Sequence, residues 1–226
     1  YGIIPLPKNA ANGQVSDVVV KGLTATNIVK NGNFGEGKTY WTEATGSFLV
    51  TNKIAFFDMS NSFVVYQSIK KIPSGRKVYM SIRCRALNDA DKSLSFSLRK
   101  ASSLLHSINL DPSQTSWGRI SAVHTLTDDV DRVYFSRAST TDKGAYEATD
   151  IMIVDLTSTF GAGNEPTVEQ CDAMFPHWFD GTKSTVCAMR LKSVSADETE
   201  TSTAYVVAKD EQGKIVELRS LPNGVK

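Results

Sequence analysis

The sequence is poor in cysteine, has no excess of charge of either sign and contains no long apolar run. Its three cysteines, Cys84, Cys171 and Cys187, are odd in number and widely spaced, which is typical of neither a disulfide framework nor a metal site. Lysine and arginine total 25 against 24 for aspartate and glutamate, so the basic footprint of a nucleic-acid-binding protein is missing. No apolar segment approaches the roughly 20 residues needed to cross a bilayer. We therefore predict neither nucleic-acid binding nor membrane insertion.

Recognisable catalytic motifs are also missing. The sequence contains no Gly-x-Ser-x-Gly elbow, no phosphate-binding glycine loop and no His-Glu-x-x-His helix. Its three histidines have no cysteine or histidine at zinc-ligand spacing. Glu165, Asp172 and Asp180 are candidates for the two carboxylates that a glycosidase requires, but the sequence does not give their separation in space. On these grounds we predict that the chain is not an enzyme.

Alternation of apolar and polar residues dominates the sequence from 27 to 157. Between residues 77 and 87 one face carries Val78, Met80, Ile82, Cys84 and Ala86, and the other carries Tyr79, Ser81, Arg83 and Arg85. Alternation over this length predicts a strand with one buried face and one face in water. Further strands are predicted at 48–50, 54–57, 63–69, 94–98, 104–110, 118–126, 132–138 and 145–156. The pattern predicts an all-β fold, an antiparallel jelly-roll sandwich.

A short helix is predicted directly after the sandwich. Thr167 and Gln170 have the spacing of a capping box, and Pro176 ends the helix after about two turns. A short strand is predicted at 186–191, and a C-terminal β-hairpin at 204–218, around a loop at 210–213. The expected organisation is an N-terminal lead-in segment (1–26), the sandwich (27–157), a helix-containing segment (158–182), and a linker with the hairpin (183–226) that begins a further module.

Several stretches resemble known families. Asn27-Ile-Val-Lys-Asn-Gly-Asn-Phe34, followed by Trp41, resembles the opening of galactose-binding-like jelly rolls and carbohydrate-binding modules. Ile151-Met-Ile-Val-Asp-Leu-Thr-Ser-Thr-Phe-Gly-Ala-Gly-Asn-Glu-Pro-Thr167, with Trp178-Phe-Asp-Gly-Thr182, resembles a segment of tail, baseplate and minor structural proteins of phages and prophages of Gram-positive bacteria. The closing Ile215-Val-Glu-Leu-Arg-Ser-Leu-Pro-Asn-Gly224 is similar to modules of the same tail proteins.

The resemblance to phage tail proteins implies a function and a location. It implies a non-enzymatic part of a host-attachment apparatus in the virion tail, acting at the host cell exterior. The implied partners are host cell-surface polysaccharide and other tail subunits. It also implies a homo-oligomer, since tail proteins of this kind are commonly trimeric.

Sugar binding on a jelly roll usually requires exposed aromatic rings with polar side chains beside them for the sugar hydroxyls. Tyr66 and Tyr79 are the predicted platform, because each lies on the polar face of its strand. Arg83 and Arg85 follow Tyr79 on the same face and complete the predicted site. The alternative is that these rings pack against neighbouring strands. The other aromatic candidates are Tyr40, Trp41, Trp117 and Tyr134, of which the two tryptophans are expected to fill the core.

The resemblance to jelly rolls also implies a structural calcium ion, because related modules frequently hold one between the opening loop and the last strand. The matching positions are Asn31, Asn33 and Glu36 in the loop and Asp155 in the strand. Asp155 follows two apolar residues at period two, so it is predicted to point inward, where a carboxylate needs a metal or several hydrogen-bond donors. Asn33 stands where related modules often have aspartate, which removes one charge. A hydrogen-bonded Asp155 without a metal is the alternative.

Three functions are consistent with these patterns. The first is a phage tail module that binds host cell-surface carbohydrate through its jelly roll. The second is a structural or oligomerisation spacer of the tail or baseplate, without a ligand. The third is a fragment of a glycan depolymerase.

Overall fold

The computed structural model describes residues 18–59, 62–87, 94–137, 144–180, 186–194, 200–209 and 215–220, and the side chains of those between 25 and 180. The chain forms two compact units, residues 25–185 and residues 1–24 with 186–226. The first eleven strands are β1 (Val18–Ala25), β2 (Thr42–Thr45), β3 (Leu49–Thr51), β4 (Ile54–Asp58), β5 (Val64–Ile72), β6 (Lys77–Ala86), β7 (Leu94–Lys100), β8 (Ser103–Leu110), β9 (Gly118–Thr125), β10 (Val130–Arg137) and β11 (Ala145–Asp155). The helices α1 (Leu156–Phe160) and α2 (Val168–Met174) and the strands β12 (Val186–Val194), β13 (Glu200–Lys209) and β14 (Ile215–Ser220) follow.

Two antiparallel sheets form the larger unit, each with five strands within the described residues. The front sheet has the order β2-β5-β10-β7-β8, and the back sheet has the order β3-β4-β11-β6-β9. Strands that follow one another in the chain often lie in opposite sheets, as β5 and β6 do, which produces the crossed connections of a jelly roll. The predicted antiparallel jelly-roll sandwich is confirmed.

Aromatic side chains fill the space between the two sheets. Phe135 is fully buried on β10. The centroid of its ring lies 4.7, 5.1 and 5.7 Å from the ring centroids of Phe57, Phe96 and Trp41. Phe34 extends this cluster, with its ring 5.5 Å from that of Trp41. Large rings in contact contribute more buried area per residue than other side chains. Trp41 is 7% exposed, so its predicted place in the core is confirmed.

Asn27 joins three parts of the larger unit through hydrogen bonds of its buried side chain. Its Nδ2 donates to the carbonyl oxygens of Ile151 (3.1 Å) and Phe179 (3.0 Å). Its Oδ1 accepts from the backbone N–H groups of Val29 (3.1 Å) and Ile153 (3.0 Å). The amide therefore satisfies four backbone groups that have no water around them.

Gly32 allows the same opening segment to lie directly against β11. A Cβ atom at this position would be 2.3 Å from the carbonyl oxygen of Ile151, so a larger residue requires the backbone to move. The Ile151 N–H donates to the Gly32 carbonyl (3.0 Å), and Trp178 Nε1 donates to the Ile151 carbonyl (3.1 Å). The stretch that resembles the opening of jelly rolls and the stretch from Ile151 that resembles phage tail proteins are thus in contact with each other.

The segment after the sandwich contains two short helices. The capping box of α2 is confirmed, because Gln170 N donates to Thr167 Oγ1 and Thr167 N donates to Gln170 Oε1. Cys171 and Met174 are buried beneath this helix. α1 was not predicted, although Asp155 is a favourable residue for its N-cap. Among the described residues, neither helix has the length and apolar character needed to span a membrane.

The smaller unit contains a sheet of four described strands in the order β1-β12-β13-β14. β13 pairs antiparallel with both β12 and β14, so the C-terminal hairpin is part of a larger sheet. β1 comes from the predicted lead-in segment, β12 contains the strand predicted at 186–191, and β13 begins within the stretch expected to be a linker. Residues 158–180 fall within the unit that contains the sandwich. The predicted hairpin loop at 210–213 lies outside the described residues.

Replacing Asn27 by leucine, which has a similar shape, will destabilise the larger unit strongly. The substitution removes the Asn27 partner from four buried backbone groups, of which the Ile151 carbonyl keeps a second donor, Trp178 Nε1. Each group left unsatisfied costs about 1–3 kcal/mol. We expect the free energy of unfolding to fall by at least about 3 kcal/mol in a urea titration followed by tryptophan fluorescence. Thr26→Ala, at the exposed neighbouring position, is the control and will change stability little. A small effect of Asn27→Leu would contradict the bridging role of this amide.

Two histidines stack between the edge strands of the two sheets. The rings of His106 on β8 and His124 on β9 have centroids 4.9 Å apart and an interplanar angle of 30°. Both Nε2 atoms are buried and have no hydrogen-bond partner among the described residues. Burial lowers the pKa of His106, and burial together with the charge of His106 lowers the pKa of His124. The folded state therefore favours the neutral form of both rings.

This histidine pair makes the fold less stable at mildly acidic pH. Unfolded histidines bind protons below their ordinary pKa of about 6.5, whereas the folded pair binds them only at lower pH, so stability is lost as the pH falls through this range. We expect the urea midpoint to decrease between about pH 7.5 and 5.5. The double variant His106→Phe with His124→Phe will flatten this dependence, and His177→Gln, at an exposed histidine, will not. An unchanged pH dependence in the double variant would contradict the assignment.

Candidate functional site

The outer faces of the two sheets are occupied differently. α2 contacts β9, and α1 contacts β6 and β11, so both helices pack on the back sheet. The outer face of the front sheet carries exposed polar residues, among them Ser68 and Asn109. We refer to the outer face of the front sheet as the open face.

Tyr79 lies on the covered back sheet and is fully buried. Its hydroxyl donates to Asp172 Oδ1 of α2 (2.7 Å), and its ring lies 5.9 Å from that of Phe175. Burial, with the nearby Asp172 carboxylate, raises the pKa of Tyr79 well above its ordinary value. The prediction that Tyr79 forms a sugar platform is wrong, because the helix after the sandwich covers the polar face of β6.

Arg83 and Arg85 lie farther along the same face of β6 and hold an indole ring between them. Their guanidinium carbons are 5.2 and 5.1 Å from the centre of the Trp117 ring. Arg85 also forms an ion pair with Glu147 at 2.6 Å. Trp117 is only partly buried, so the prediction that it fills the core is wrong. The predicted set is therefore divided, with Tyr66 on the front sheet and Tyr79, Arg83 and Arg85 on the back sheet.

The pairing register of the front sheet places outward side chains in rows across the open face. Tyr134 on β10 lies opposite Tyr66 on β5 and opposite Ser97 on β7. The row continues to Thr42 on β2 beyond Tyr66 and to Ser107 on β8 beyond Ser97. Directly opposed residues share one face of a sheet. This central row therefore combines two aromatic rings with hydroxyl groups.

The two neighbouring rows consist mainly of arginine, serine and asparagine. On one side of the central row, Arg132 lies opposite Ser68 and opposite Arg99. On the other side, the row across β5, β10, β7 and β8 is Val64, Ser136, Ser95 and Asn109. The outward positions in these three rows contain no aspartate or glutamate.

Two tyrosines and two arginines form the centre of the open face. The rings of Tyr66 and Tyr134 are stacked, with centroids 5.1 Å apart and an interplanar angle of 18°. The guanidinium of Arg132 lies 5.1 Å from the centre of the Tyr66 ring, and that of Arg99 lies 4.7 Å from the centre of the Tyr134 ring. Tyr134 is 6% exposed, whereas Tyr66 is partly exposed. We call these four residues the tyrosine–arginine cluster.

Hydrogen bonds fix the cluster on the sheet. Arg99 donates from Nε to Ser97 Oγ (3.3 Å), from Nη2 to Ser136 Oγ (3.1 Å) and from Nη1 to the Ser102 carbonyl (2.9 Å). Arg132 Nη1 donates to the Tyr134 hydroxyl (3.3 Å). The aromatic surface is thus held by strand pairing and side-chain bonds, so little conformational freedom is lost when a ligand binds.

Sequence reasoning selected Tyr66 for this site but missed Arg99 and Arg132. Tyr134 was among the candidate aromatics. Its stacking against Tyr66 is consistent both with a sugar platform and with packing between neighbouring strands. The alternation of residues 94–98 and 132–138 gave the strands that carry the missed residues. The alternation did not give the register between these strands, and the register is what places the two arginines opposite each other.

Three of the predicted calcium ligands, Asp155, Asn31 and Asn33, are hydrogen bonded within the protein. Asp155 accepts a hydrogen bond from Ser158 N (2.8 Å) at the N-cap of α1, and its other oxygen pairs with Arg76 at 2.6 Å. Both carboxylate oxygens of Asp155 thus have partners within the protein, and calcium binding at Asp155 stays a prediction. These partners are consistent with the alternative of a hydrogen-bonded Asp155.

The loop residues of the predicted calcium site are bonded within their own loop. Asn31 is buried, donates to the carbonyls of Gly37 and Thr39 (both 3.0 Å), and accepts from Glu36 N (3.0 Å). Asn33 accepts from Gly35 N (3.0 Å). The amide of Asn31 thus closes the loop by hydrogen bonds. Among the described residues, no cluster of three or more histidine, cysteine, aspartate or glutamate side chains is arranged to hold a metal.

The carboxylates considered for glycosidase chemistry have structural contacts. Asp172 accepts from Tyr79 and, through its other oxygen, from Ser121 Oγ (2.8 Å). Glu165 accepts from Thr157 Oγ1 (2.7 Å) and Gly163 N (2.9 Å), which stabilises the connection between α1 and α2. These hydrogen bonds hold the helical segment on the back sheet.

An open cleft lies at one end of the sandwich, away from the cluster. Its lining residues are Gly46, Ser47, Phe48, Leu49, Phe56, Asp58, Ser62 and Phe63. Phe48 and Phe63 are buried and belong to the core, whereas Leu49 is 62% exposed. The cleft contributes three polar side chains, Ser47, Asp58 and Ser62, whereas the open face sets two stacked aromatic rings among a larger number of hydroxyl and amide groups. The open face is therefore the better candidate for a glycan.

Removing the Tyr79 hydroxyl will weaken the attachment of the helical segment to the back sheet. Tyr79→Phe deletes a hydrogen bond to a carboxylate, and such bonds contribute about 1.5–3 kcal/mol. We expect the free energy of unfolding to fall by about this amount in a urea titration. Tyr66→Phe, at the partly exposed tyrosine of the front sheet, is the matched control and will change stability by less than about 0.5 kcal/mol. Equal effects of the two variants would contradict the assigned positions.

Among known proteins, this chain is similar to solved structures but matches no family model or curated protein. The chain is similar to a family 16 carbohydrate-binding module, with 14% identity, coverage of 57% of this chain and 99% of that chain, and a TM-score of 0.43. It is also similar to the second N-terminal cellulose-binding domain of Cellulomonas fimi β-1,4-glucanase C, with 9% identity, coverage of 58% of this chain and 95% of that chain, and a TM-score of 0.44. A third similar structure is the enzymatically active domain of bacteriophage CBA120 tailspike protein 4, with 18% identity, coverage of 57% of this chain and 21% of that chain, and a TM-score of 0.38.

Proposed function

We propose that this chain is a non-enzymatic carbohydrate-binding module that holds a glycan on the open face of its front sheet. The observation that carries the proposal is the tyrosine–arginine cluster, in which stacked aromatic rings lie among rows of hydroxyl and amide groups. Aromatic rings and a few placed polar groups are the usual elements of sugar recognition.

The partly exposed ring of Tyr66 is the proposed contact for the apolar side of a sugar ring. Tyr134 supports it from the neighbouring strand at 5.1 Å, so the platform does not depend on one mobile side chain. Exposed Ser68 and Asn109 and the hydroxyl of Thr42 lie on the same face and can exchange hydrogen bonds with sugar hydroxyls. A row of this kind fits an extended chain of sugars rather than a single enclosed residue.

The side chains of the open face favour glycan binding without hydrolysis. Glycoside hydrolysis ordinarily uses two carboxylates on either side of the scissile bond. The outward positions in the three rows carry none. Asp172 is bonded to Tyr79 and Ser121 of the back sheet, and Glu165 to Thr157 of α1. A depolymerase reaction at this face therefore lacks its acid and base.

The biological setting that we propose is the tail of a phage or prophage. The resemblance of the segment from Ile151 to Thr167 to phage tail proteins supports it. In that setting the ligand is polysaccharide on the host cell surface, and the chain is part of a homo-oligomer with other tail subunits. A purely structural spacer is the alternative, and it predicts no glycan binding at all.

Alanine at Tyr66 tests the binding site directly. We expect the chain to bind members of a bacterial-glycan array, and Tyr66→Ala to bind them about tenfold more weakly because the stacking surface is lost. Tyr66→Phe keeps the ring and will retain most of the affinity, which isothermal titration calorimetry can measure.

Two controls separate the open face from the rest of the molecule. Tyr79→Phe removes a buried hydroxyl on the back sheet, and Trp117→Ala removes the partly buried indole there. Neither is expected to change affinity. If the folded chain binds no glycan, the spacer function replaces the proposal. If Trp117→Ala abolishes binding while Tyr66→Ala does not, the site lies on the back sheet.

A further inference from the structure

Two arginines face each other directly across the centre of the open face. Arg132 on β10 and Arg99 on β7 are register partners, and like charges directly opposite each other destabilise a sheet. Each guanidinium lies against a tyrosine ring, Arg132 on Tyr66 and Arg99 on Tyr134, which offsets part of this cost by cation–π attraction.

Within the described residues, no acidic side chain forms an ion pair with either arginine. Neither guanidinium has a carboxylate oxygen of this part of the chain within 4.0 Å, whereas those of Arg76 and Arg85 do. Asp131 acts on Arg132 electrostatically, but its carboxylate accepts a hydrogen bond from Ala101 N. The centre of the open face therefore carries a net positive charge.

The two guanidinium groups differ in how many of their donors are used. Arg99 donates through all three of its nitrogens to groups on the sheet and its adjoining turn. Arg132 makes one hydrogen bond to described residues, through Nη1 to the Tyr134 hydroxyl. A guanidinium has five N–H donors in a planar fork that matches the two oxygens of an anionic group. The guanidinium of Arg99 is thus held in place by the sheet and its turn, whereas the guanidinium of Arg132 has N–H donors available to a ligand.

We propose that the ligand of the open face is an acidic polysaccharide, with an anionic substituent on Arg132 and the ring of the same or the next sugar on Tyr66. This inference rests on the proposed carbohydrate-binding function and narrows it to one chemical class. The shared chemistry is a carboxylate, sulfate or phosphate group, each of which a guanidinium can bind with two parallel hydrogen bonds. An uncharged glycan would leave the opposed charges of Arg99 and Arg132 unbalanced.

The test compares polymers that share a backbone and differ in charge. Binding of the full chain to dextran, carboxymethyl-dextran, dextran sulfate and dextran phosphate, with an array of neutral and acidic bacterial glycans, shows which anionic group is preferred. We expect acidic members to bind at least tenfold more tightly than neutral ones, and raising the salt from about 0.05 to 0.5 M to remove most of this preference.

Substitution of the arginines assigns the preference to the cluster. Arg132→Gln is expected to lower affinity for acidic glycans about tenfold and to remove most of the difference in affinity between acidic and neutral polymers. Arg83→Gln is the control, because Arg83 is also an arginine that lies on an aromatic ring, but on the back sheet. It will leave affinity and salt dependence as in the unchanged chain.

The outcomes separate this inference from the function on which it rests. Binding that Tyr66→Ala weakens but that is equal for neutral and acidic glycans would overturn the inference and leave carbohydrate binding intact. An acidic preference that Arg83→Gln removes and Arg132→Gln does not would also overturn it. No binding to any polymer or array member would overturn both.

Discussion

The register of β10 is the constraint on which both the core and the candidate site depend. β10 is the central strand of the front sheet, and its residues alternate between the two faces. Phe135 contacts three aromatic rings inside the sandwich, while Tyr134 and Arg132 take part in the cluster outside. A slip of one residue would expose Phe135 and bury Arg132, because side chains alternate with a period of two. The packing that stabilises the fold therefore also fixes the positions of the proposed ligand contacts.

The segment after β11 decides which sheet can meet a partner. Asp172 receives hydrogen bonds from Tyr79 and Ser121 on two strands of the back sheet, so the helical segment is held there by buried polar contacts. Asn27 adds a bond to the Phe179 carbonyl from the start of the sandwich. The back sheet is thereby covered around Tyr79, whereas the outer face of the front sheet carries exposed polar residues beside the partly exposed Tyr66. The two outer faces of the sandwich therefore differ in what a partner can reach.

Much of the fold could be predicted from local patterns, and much of the site could not. Alternation gave the strands, and Thr167 with Gln170 gave the cap of α2, because these signals depend on neighbouring residues. Tyr66 and Tyr79 occupy equivalent positions in their strands, yet one is partly exposed and the other buried by a helix nearly one hundred residues later in the chain. The pairing of Arg99 with Arg132 and the binding of Arg76 to Asp155 likewise depend on contacts that no local pattern contains.

The central claim is that a glycan binds on the open face of the front sheet, and mapping of amide chemical shifts by NMR tests it most directly. Titration with a bound oligosaccharide is expected to shift amides of β5, β7 and β10 around Tyr66, Ser97, Arg132 and Tyr134, and to leave those of β6 and β9 unchanged. Shifts centred on Arg83 and Trp117, or on the cleft between Gly46 and Phe63, would contradict the claim.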